Sequence, residues 1–387
     1  MGALPQLGVP LVLKALSVSH AIRSRVENAV TLEEIARLAG VSRSTVSRVV
    51  NGDRRVSDAA RARVQDVIRD HDYHPNAAAR SLASRRMRVL GLLVSKSVGG
   101  LFTDPFYPIL IQGTADACNA ADHTLTMLLD TSADGHAVEQ LYGRVIRGRH
   151  VDGLVLACHA VDDPLVPRLQ ADRIPFVLVG RHPGAEVSFV DVDSRGAAQE
   201  AVAHLLDHGY RRIAMICGPP HLIASIDRHA GYVNALQEAA VPPEPSRVIF
   251  ADFTQRGGHR AMQGLLQNRS SIPEAVFAAS DALAFGAMAA IQEAGLRVPE
   301  DVAVLGFDGL AEGVDTQPPL STVTQPVADL GREAVRMLLT LIDDPDRAPM
   351  QRFLPTALTP RRSCGCELIA AVEVGGGVET KSVLSIA

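Results

Sequence analysis

Tryptophan is absent from the 387 residues, and only 5 Tyr and 10 Phe stand among them. Any ring stacking against a ligand therefore falls to Phe or Tyr. Lysine is nearly missing as well, with 3 Lys beside 35 Arg. No uncharged apolar run reaches the ~18 residues of a membrane-spanning helix, so no membrane partner is expected. Five cysteines, Cys118, Cys158, Cys217, Cys364 and Cys366, form no paired framework. That excludes a disulfide-stapled scaffold and fits a reducing cytoplasm. The closest pair, Cys364 and Cys366, lacks the second Cys/His pair of a structural zinc site, so neither a metal nor a cofactor is expected. A Walker loop, a Gly-x-Ser-x-Gly elbow and a His-Glu-x-x-His pair are all missing, and catalysis is not expected.

What is present is an ordinary globular composition, 47% hydrophobic and 21% charged. The length suits two or three domains. Residues 1–30 carry no pattern: their apolar stretch is interrupted by Lys14 and has no basic segment before it, which makes a poor signal peptide. The Arg bias suggests a G+C-rich genome, where alternative starts are common, and a true start near Val26 is one expectation. A disordered N-terminal arm is the other.

Charge is unevenly spread. Residues 31–88 hold 12 Arg, no Lys and 7 acids, a balance of +5, whereas the whole chain is −5 and the remainder −10. A basic head on an acidic body is the electrostatic footprint of a nucleic-acid binder. Within the head, Thr31 followed by Glu34 has capping-box spacing. Ile35, Ala36, Leu38 and Ala39 then form an apolar face. Gly40 suits a helix C′ position and Ser42 a new N-cap. Helix, short turn and second helix make a helix-turn-helix unit. The second helix turns Val46, Val49 and Val50 inward and leaves Arg43, Ser44, Ser47 and Arg48 outward. A third helix from Ser57 or Asp58 brings Val64, Val67 and Ile68 to close the core with Tyr73. The Ala-rich segment that follows, residues 76–86, favours helix but is shorter than the ~12–15 residues an isolated helix needs.

From Val89 onward short apolar runs alternate with amphipathic stretches. Strands are expected at residues 89–94, 124–129, 151–157 and 175–179, with helices at 106–121 and 135–147 between them. The rhythm restarts after Asp193: a helix at 194–207, a strand at 212–217, a helix at 226–239, and strands near 248–250, 275–277 and 302–305. This predicts an α/β body of doubly wound parallel sheets.

Ala39-Gly40-Val41-Ser42 followed by Thr45-Val46-Ser47-Arg48-Val49-Val50-Asn51 resembles the head of the LacI/GalR bacterial repressors, and residues 73–83 resemble their hinge. The resemblance runs through about residue 363. It implies a three-helix helix-turn-helix head with a hinge helix, then a two-lobe body like periplasmic sugar-binding proteins, with a ligand cleft between lobes. The expected organisation is an N-terminal extension at 1–30, a head at 31–75, a hinge and linker at 76–88, an effector-binding and dimerisation body at 89–366, and a flexible tail at 367–387. Lobe 1 is expected at about 89–190 and 320–342, and lobe 2 at about 193–318 and 343–366. The chain would cross between them near 190–193, 318–321 and 341–344.

A recognition helix lies in the major groove with its N-terminal residues against base edges. That gives Arg43, Ser44 and Arg48 the base-reading positions, since Arg offers two donors to guanine. Thr31, Ser42, Thr45, Ser47 and Asn51 are candidates for phosphate contacts or caps. In the family the paired hinge helices enter the minor groove and a Leu wedges a base step. The resemblance carries that role to Leu82, supported by Asn76, Ala79 and Arg80.

For the effector, Arg228 begins an Arg-x-x-Gly-aromatic segment like the family's, and Asp281 follows Ser280 as in its Asn/Ser-Asp turn. Both imply contacts with sugar hydroxyls. Phe253 and the pair Phe106-Tyr107 would cover the ring faces. Gly180-Arg181 is a weaker candidate, and Asp308 reads as structural.

The resemblance thus implies a cytoplasmic, homodimeric transcription regulator. It would be a repressor of carbohydrate-use genes that binds double-stranded, pseudo-palindromic operator DNA and is released by a sugar effector. A corepressor-dependent relative with a nucleobase-like effector is the alternative, and a sugar-binding protein without a DNA role is a more distant one. The tail lacks the Leu-rich heptads that would join dimers into tetramers.

Overall fold

Helical and strand periods separate into distinct elements in the computed structural model, which describes residues 30–50, 53, 55–73, 86–94, 98–129, 142–157, 160–184, 186–267 and 271–366. The chain divides into two units, residues 1–87 and 88–387. In the first, α1 (Leu32–Ala39), α2 (Arg43–Val50) and α3 (Asp58–Asp70) enclose Ile35, Ala36, Ala39, Val46, Val49 and Val64. Gly40 ends α1 in the left-handed region at φ +63°, and Val41 N–H donates back to Ala36 O at 3.0 Å. Leu38, expected on the packed face, is 40% exposed, because it lies past the edge of the stripe formed by its neighbours. The hinge segment at 76–85 lies outside the described residues.

The second unit contains two six-stranded sheets of matching order. Lobe 1 holds β1 (Val89–Val94), β2 (Thr124–Leu129), β3 (Gly153–Ala157), β4 (Phe176–Val179), β5 (Phe189–Val192) and β11 (Gln351–Leu354), in spatial order 11-5-4-3-1-2. Lobe 2 holds β6 (Ile213–Cys217), β7 (Val248–Phe250), β8 (Ala275–Ala278), β9 (Ala303–Asp308), β10 (Ser321–Thr324) and β12 (Ala357–Thr359), in order 12-10-9-8-6-7. All pairings are parallel except β10 with β12. Every residue of β3, β4, β6, β8 and β9 is buried, as expected when helices cover both faces.

Among the described residues, the body's α-helices of seven residues or more are α4 (Phe106–Ala120), α5 (Leu165–Ala171), α6 (Ser194–Asp207), α7 (Ile223–Glu238), α8 (Gln255–Leu266), α9 (Asp281–Glu293) and α10 (Val327–Asp343). Three pairs, α4 with α10, α6 with α7 and α8 with α9, meet backbone to backbone through glycine. A Cβ on Gly113 would lie 1.9 Å from Ala328 O, one on Gly231 2.2 Å from Arg195 O, and one on Gly286 1.9 Å from Gln255 O.

Two of the three expected lobe crossings move. The first crossing falls at Asp193, between β5 and α6. The second is Gln325-Pro326, between β10 and α10, and not 318–321. Pro318-Pro319 looks like a linker in sequence, but Leu320 and Val323 behind it belong to the core of lobe 2. The third is Pro355-Thr356, and not 341–344: the polar residues after α10 form a loop that stays on lobe 1 and leads into β11 beside β5. Among the described residues, lobe 1 therefore comprises those within 89–192 and 327–354, and lobe 2 those within 194–324 and 357–366. A second difference concerns the helix expected at 135–147. Its described part, Tyr142–Ile146, is a π-turn in which Arg147 N–H donates to Tyr142 O at 3.0 Å. The wider turn seats Tyr142 fully inside lobe 1, where the Arg168 guanidinium lies 3.8 Å from its ring centroid.

The glycine contacts set a stability expectation. Gly113→Ala must push α4 off Ala328, an overpacking change that typically costs ~1–3 kcal/mol. Urea unfolding of the variant should show the body's transition at a correspondingly lower midpoint. An unchanged midpoint would mean that the two helices are free to separate.

Candidate functional sites

In the head, Thr31 Oγ1 accepts from Glu34 N–H at 3.3 Å and caps α1. Ser42 Oγ accepts from Thr45 N–H at 3.1 Å and lies 2.8 Å from the hydroxyls of Ser44 and Thr45. Ser42, Arg43, Ser44 and Arg48 are exposed on one side of α2, while Thr45 and Ser47 are half-buried. Arg43 Nε sits 2.8 Å from Glu33 Oε1, with both side chains mostly exposed. Such a surface pair is worth ~0–1 kcal/mol, small enough to exchange for a better partner. The remaining DNA-binding candidates Asn51, Asn76, Ala79, Arg80 and Leu82 lie outside the described residues.

In the body, the strands of both sheets end on a cleft of about 690 Å³, counting its open mouth. Phe106 and Tyr107 at the start of α4 form one wall, with ring centroids 5.6 Å apart and nearly perpendicular planes. Phe253 stands on the opposite lobe. It fills the space over Gly218, where a Cβ would come within 2.1 Å of its ring. Arg228 on α7 is buried, donates from Nη1 to Ala279 O at 2.6 Å and lies over the Phe307 ring at 3.7 Å. Its Nη1 is also 3.7 Å from Asp308 Oδ1.

Asp308 and Asp281 lie in positions opposite to those the sequence suggests, Asp308 lining the cleft and Asp281 behind it. Asp281, expected to meet the ligand, is fully buried and does not line the cleft. Its Oδ1 accepts from Thr322 Oγ1 at 2.6 Å, and its Oδ2 accepts from the N–H groups of Gly309 and Leu310 at 2.9 and 2.7 Å. Burial pushes its carboxyl up, and these three donors oppose the shift. Ser280, which caps α9 by accepting from Leu283 N–H at 3.2 Å, lines the cleft instead. Asp308, read as structural, lines it too. It sits at the end of β9 with φ +127°, and its Oδ1 accepts from Gln325 Nε2 at 2.6 Å. Burial pushes its carboxyl up to about 8, against the nearby Arg228 guanidinium.

Sequence reasoning also missed Asp104, Asp191 and Gln325 in the lining. Asp191 ends the first lobe's contribution: its Oδ2 accepts from Arg181 Nη1 at 3.0 Å, and burial raises its carboxyl. Arg181 reaches across to Asp227 of α7 at 2.5 Å, an ion pair between lobes. An acidic residue next to an apolar strand end was the only signal, and it does not distinguish lining from capping. The lining thus offers carboxyl acceptors, one guanidinium and aromatic faces. A hydroxyl between Arg228 and Asp308 could accept from the first and donate to the second. The expected absence of a second ligand pair near Cys364 and Cys366 is corrected as well: His204 and His208 stand beside them.

A helix-turn-helix head joined to a two-lobe body with a polar, aromatic-walled cleft defines a ligand-responsive DNA-binding regulator. The comparisons agree. Residues 31–76 match the model of bacterial regulatory proteins, lacI family, and residues 202–364 that of a periplasmic binding protein-like domain. The HTH-type transcriptional regulator CelR of Thermobifida fusca is 39% identical over 336 residues, 86% of this chain and 98% of that protein. A structure described as the transcriptional regulator CelR-cellobiose complex aligns with a TM-score of 0.68 at 38% identity, over 86% of this chain and 99% of that one. The lac repressor dimer bound to operator and the anti-inducer ONPF aligns with a TM-score of 0.76 at 25% identity, over 87% and 99%. The chain belongs to the lacI family of bacterial regulatory proteins.

The raised Asp308 carboxyl has a consequence for stability. An unfolded Asp titrates near ~4, so this group takes up a proton on folding. Its contribution is present at low pH and is lost as pH rises from about 4 through about 8. Between about pH 5 and pH 8, the thermal midpoint of Asp308→Asn should fall less steeply than that of the parent protein. Parallel curves would mean that Asp308 is ionised throughout.

Proposed function

We propose that this protein is a homodimeric repressor of carbohydrate-use genes that binds a pseudo-palindromic operator and leaves it when a neutral sugar occupies the cleft. The observation that carries the sugar reading is the Arg228–Asp308 pair facing the aromatic side chains Phe106, Tyr107 and Phe253. A guanidinium and a carboxyl fix hydroxyl orientation, and ring faces cover the apolar side of a pyranose. With carboxyls at Asp104, Asp191 and Asp308 and one guanidinium in the lining, a phosphorylated or otherwise anionic ligand would find few cationic partners there. The similar structure described as a CelR-cellobiose complex makes that disaccharide the first ligand to try. Asp281 acts in this reading through the turn it holds and not by touching sugar.

On DNA, two heads would meet half-sites related by the dimer's two-fold axis. Arg43, Ser44 and Arg48 would read base edges, and Thr31, Ser42, Thr45, Ser47 and Asn51 would cap helices or hold phosphates. Leu82, supported by Asn76, Ala79 and Arg80, would wedge the central step. Sugar would release the DNA by favouring a lobe arrangement in which the two hinges cannot dock together, a coupling through two global states.

Fluorescence anisotropy tests the proposal with the full chain and a labelled duplex from upstream of its own gene. The duplex carries the best palindrome with a central CG step, beside a scrambled control at one near-physiological salt. A preference of ~10³-fold or more is expected for the palindrome. Arg43→Ala should weaken operator binding by ~10–100-fold and scrambled binding much less. Leu82→Ala should likewise fall mainly on the operator. Cellobiose and other neutral sugars are then added; release by a neutral sugar, with no response to its phosphorylated form, is the expected result. Equal binding to both duplexes would overturn the operator reading. Tighter operator binding on adding a nucleobase would replace the inducible repressor with a corepressor-dependent one.

A further inference from the structure

At the far end of lobe 2 from the cleft, four side chains with metal-ligating atoms converge. His204 lies on the last turn of α6 and His208 caps that helix, so the four-residue spacing puts both imidazoles on one face. Cys364 and Cys366 come from the turn that follows β12. Cys364 Sγ is 3.3 Å from His204 Nε2 and 3.5 Å from Cys366 Sγ. Cys366 Sγ is 3.5 Å from His204 Nε2 and 3.3 Å from His208 Nε2. All four ligand atoms lie within 4.8 Å of one another.

We infer that these residues form a structural zinc site. Zinc bonds of ~2.3 Å to sulfur and ~2.0–2.1 Å to nitrogen give a tetrahedron whose edges are ~3.8 Å for S–S and ~3.6 Å for N–S. The four separations given above are within a few tenths of an ångström of those edges, and the other two pairs of ligand atoms lie within 4.8 Å. Two thiolates with two imidazoles are the donor set that zinc takes in closed sites, and with all four positions filled by protein no place remains for a reacting water. The backbone is shaped for the task. Gly365 adopts φ +99°, which turns the flanking sulfurs to the same side. A Cβ there would lie 2.9 Å from Tyr210 Oη, so both conformation and space call for glycine. Cys364 is fully buried, while Cys366, His204 and His208 are only partly covered, which leaves an entry path for the ion.

The ion pins the last segment of lobe 2 to α6. That segment already packs through Ser363, whose Oγ donates to Val304 O at 2.6 Å and accepts from Ser321 N–H at 2.8 Å. Because α6 begins at the cleft with Ser194, zinc fixes the opposite end of a helix that lines the ligand site.

The test uses the full chain, purified without a polyhistidine tag from cells grown with zinc and dialysed under reducing conditions against metal-free buffer. Mass-spectrometric metal analysis should find about one zinc per chain. The Cys364→Ser/Cys366→Ser variant should retain about ten-fold less, or lower still. Replacing zinc by cobalt(II) in the unaltered protein should give the intense visible bands and sulfur-to-metal charge transfer of a tetrahedral thiolate centre, and this readout does not depend on the variant folding. Metal-free protein that stays so after reconstitution with zinc would overturn the inference. So would zinc retained in full by the double variant, a weak octahedral cobalt spectrum, or an intact mass showing Cys364 joined to Cys366 as a disulfide in freshly isolated protein.

Discussion

The Asp281 carboxyl, withdrawn from water and surrounded by donors, is the constraint on which the ligand cleft depends. A carboxylate so buried is tolerable only if its oxygens are hydrogen-bonded, and Thr322, Gly309 and Leu310 supply those bonds. The three donors come from β10 and from the turn after β9, whereas Asp281 opens α9. One side chain therefore joins a helix start, a strand and a turn. Gly306 is part of the same arrangement, since any Cβ there would come within 2.3 Å of Asp281 Oδ1. With the turn held, Asp308 keeps its strained φ and faces the cleft, and Ser280 faces it from the helix cap.

The lobes themselves are stiff where their helices meet through glycine. Backbones in contact cannot slide without opening voids or clashes, because protein interiors are packed as densely as organic crystals. Freedom is left to the three crossing segments. Two of these carry proline, Pro326 and Pro355, which fixes one torsion in each. The first is anchored by Asp193, whose carboxylate accepts from Gly196 N–H at 2.9 Å and caps α6. Each crossing is thus short and bounded by a rigid element on both sides.

How much of this could be read from the sequence differs by scale. Helix caps and strands announce themselves locally: Thr31, Gly40 and Ser42 around α1 and α2, the apolar runs of β1 and β2, and α6 from its first residue to its last. Contacts between distant residues do not. Asp281 and Asp308 each follow an apolar strand and precede a turn or helix, and nothing within a few residues of either reveals which points inward. Only the pairing of β9 with β10, which brings Thr322 and Gly309 to Asp281, separates them. The second and third lobe crossings are hidden for a related reason: a proline pair and a polar loop look like linkers, but membership of a sheet is decided by pairing partners far away. His204 and Cys364 stand 160 positions apart, so a motif search limited to close spacing passes over them.

The geometry gives the cleft a direct hold on the crossings. Asp191 and Val192 end β5 immediately before the first crossing, and Ser194 begins α6 immediately after it; all three line the cleft. Gln325 forms the second crossing, lines the cleft, and donates both its side-chain amide and its backbone N–H to Asp308. An occupant that drew on Asp308 Oδ1 would compete with the Gln325 side-chain amide for that oxygen, whereas the Gln325 backbone N–H is held by the Asp308 main-chain carbonyl. The cleft lining thus includes residues of the segments that join the two lobes, Asp191, Val192 and Ser194 at the first and Gln325 at the second. A ligand shifts an equilibrium only by its difference in affinity for the two states. Asp308 both lines the cleft and anchors Gln325 of the second crossing, so cleft and crossing share one residue without any longer chain of intermediates between them.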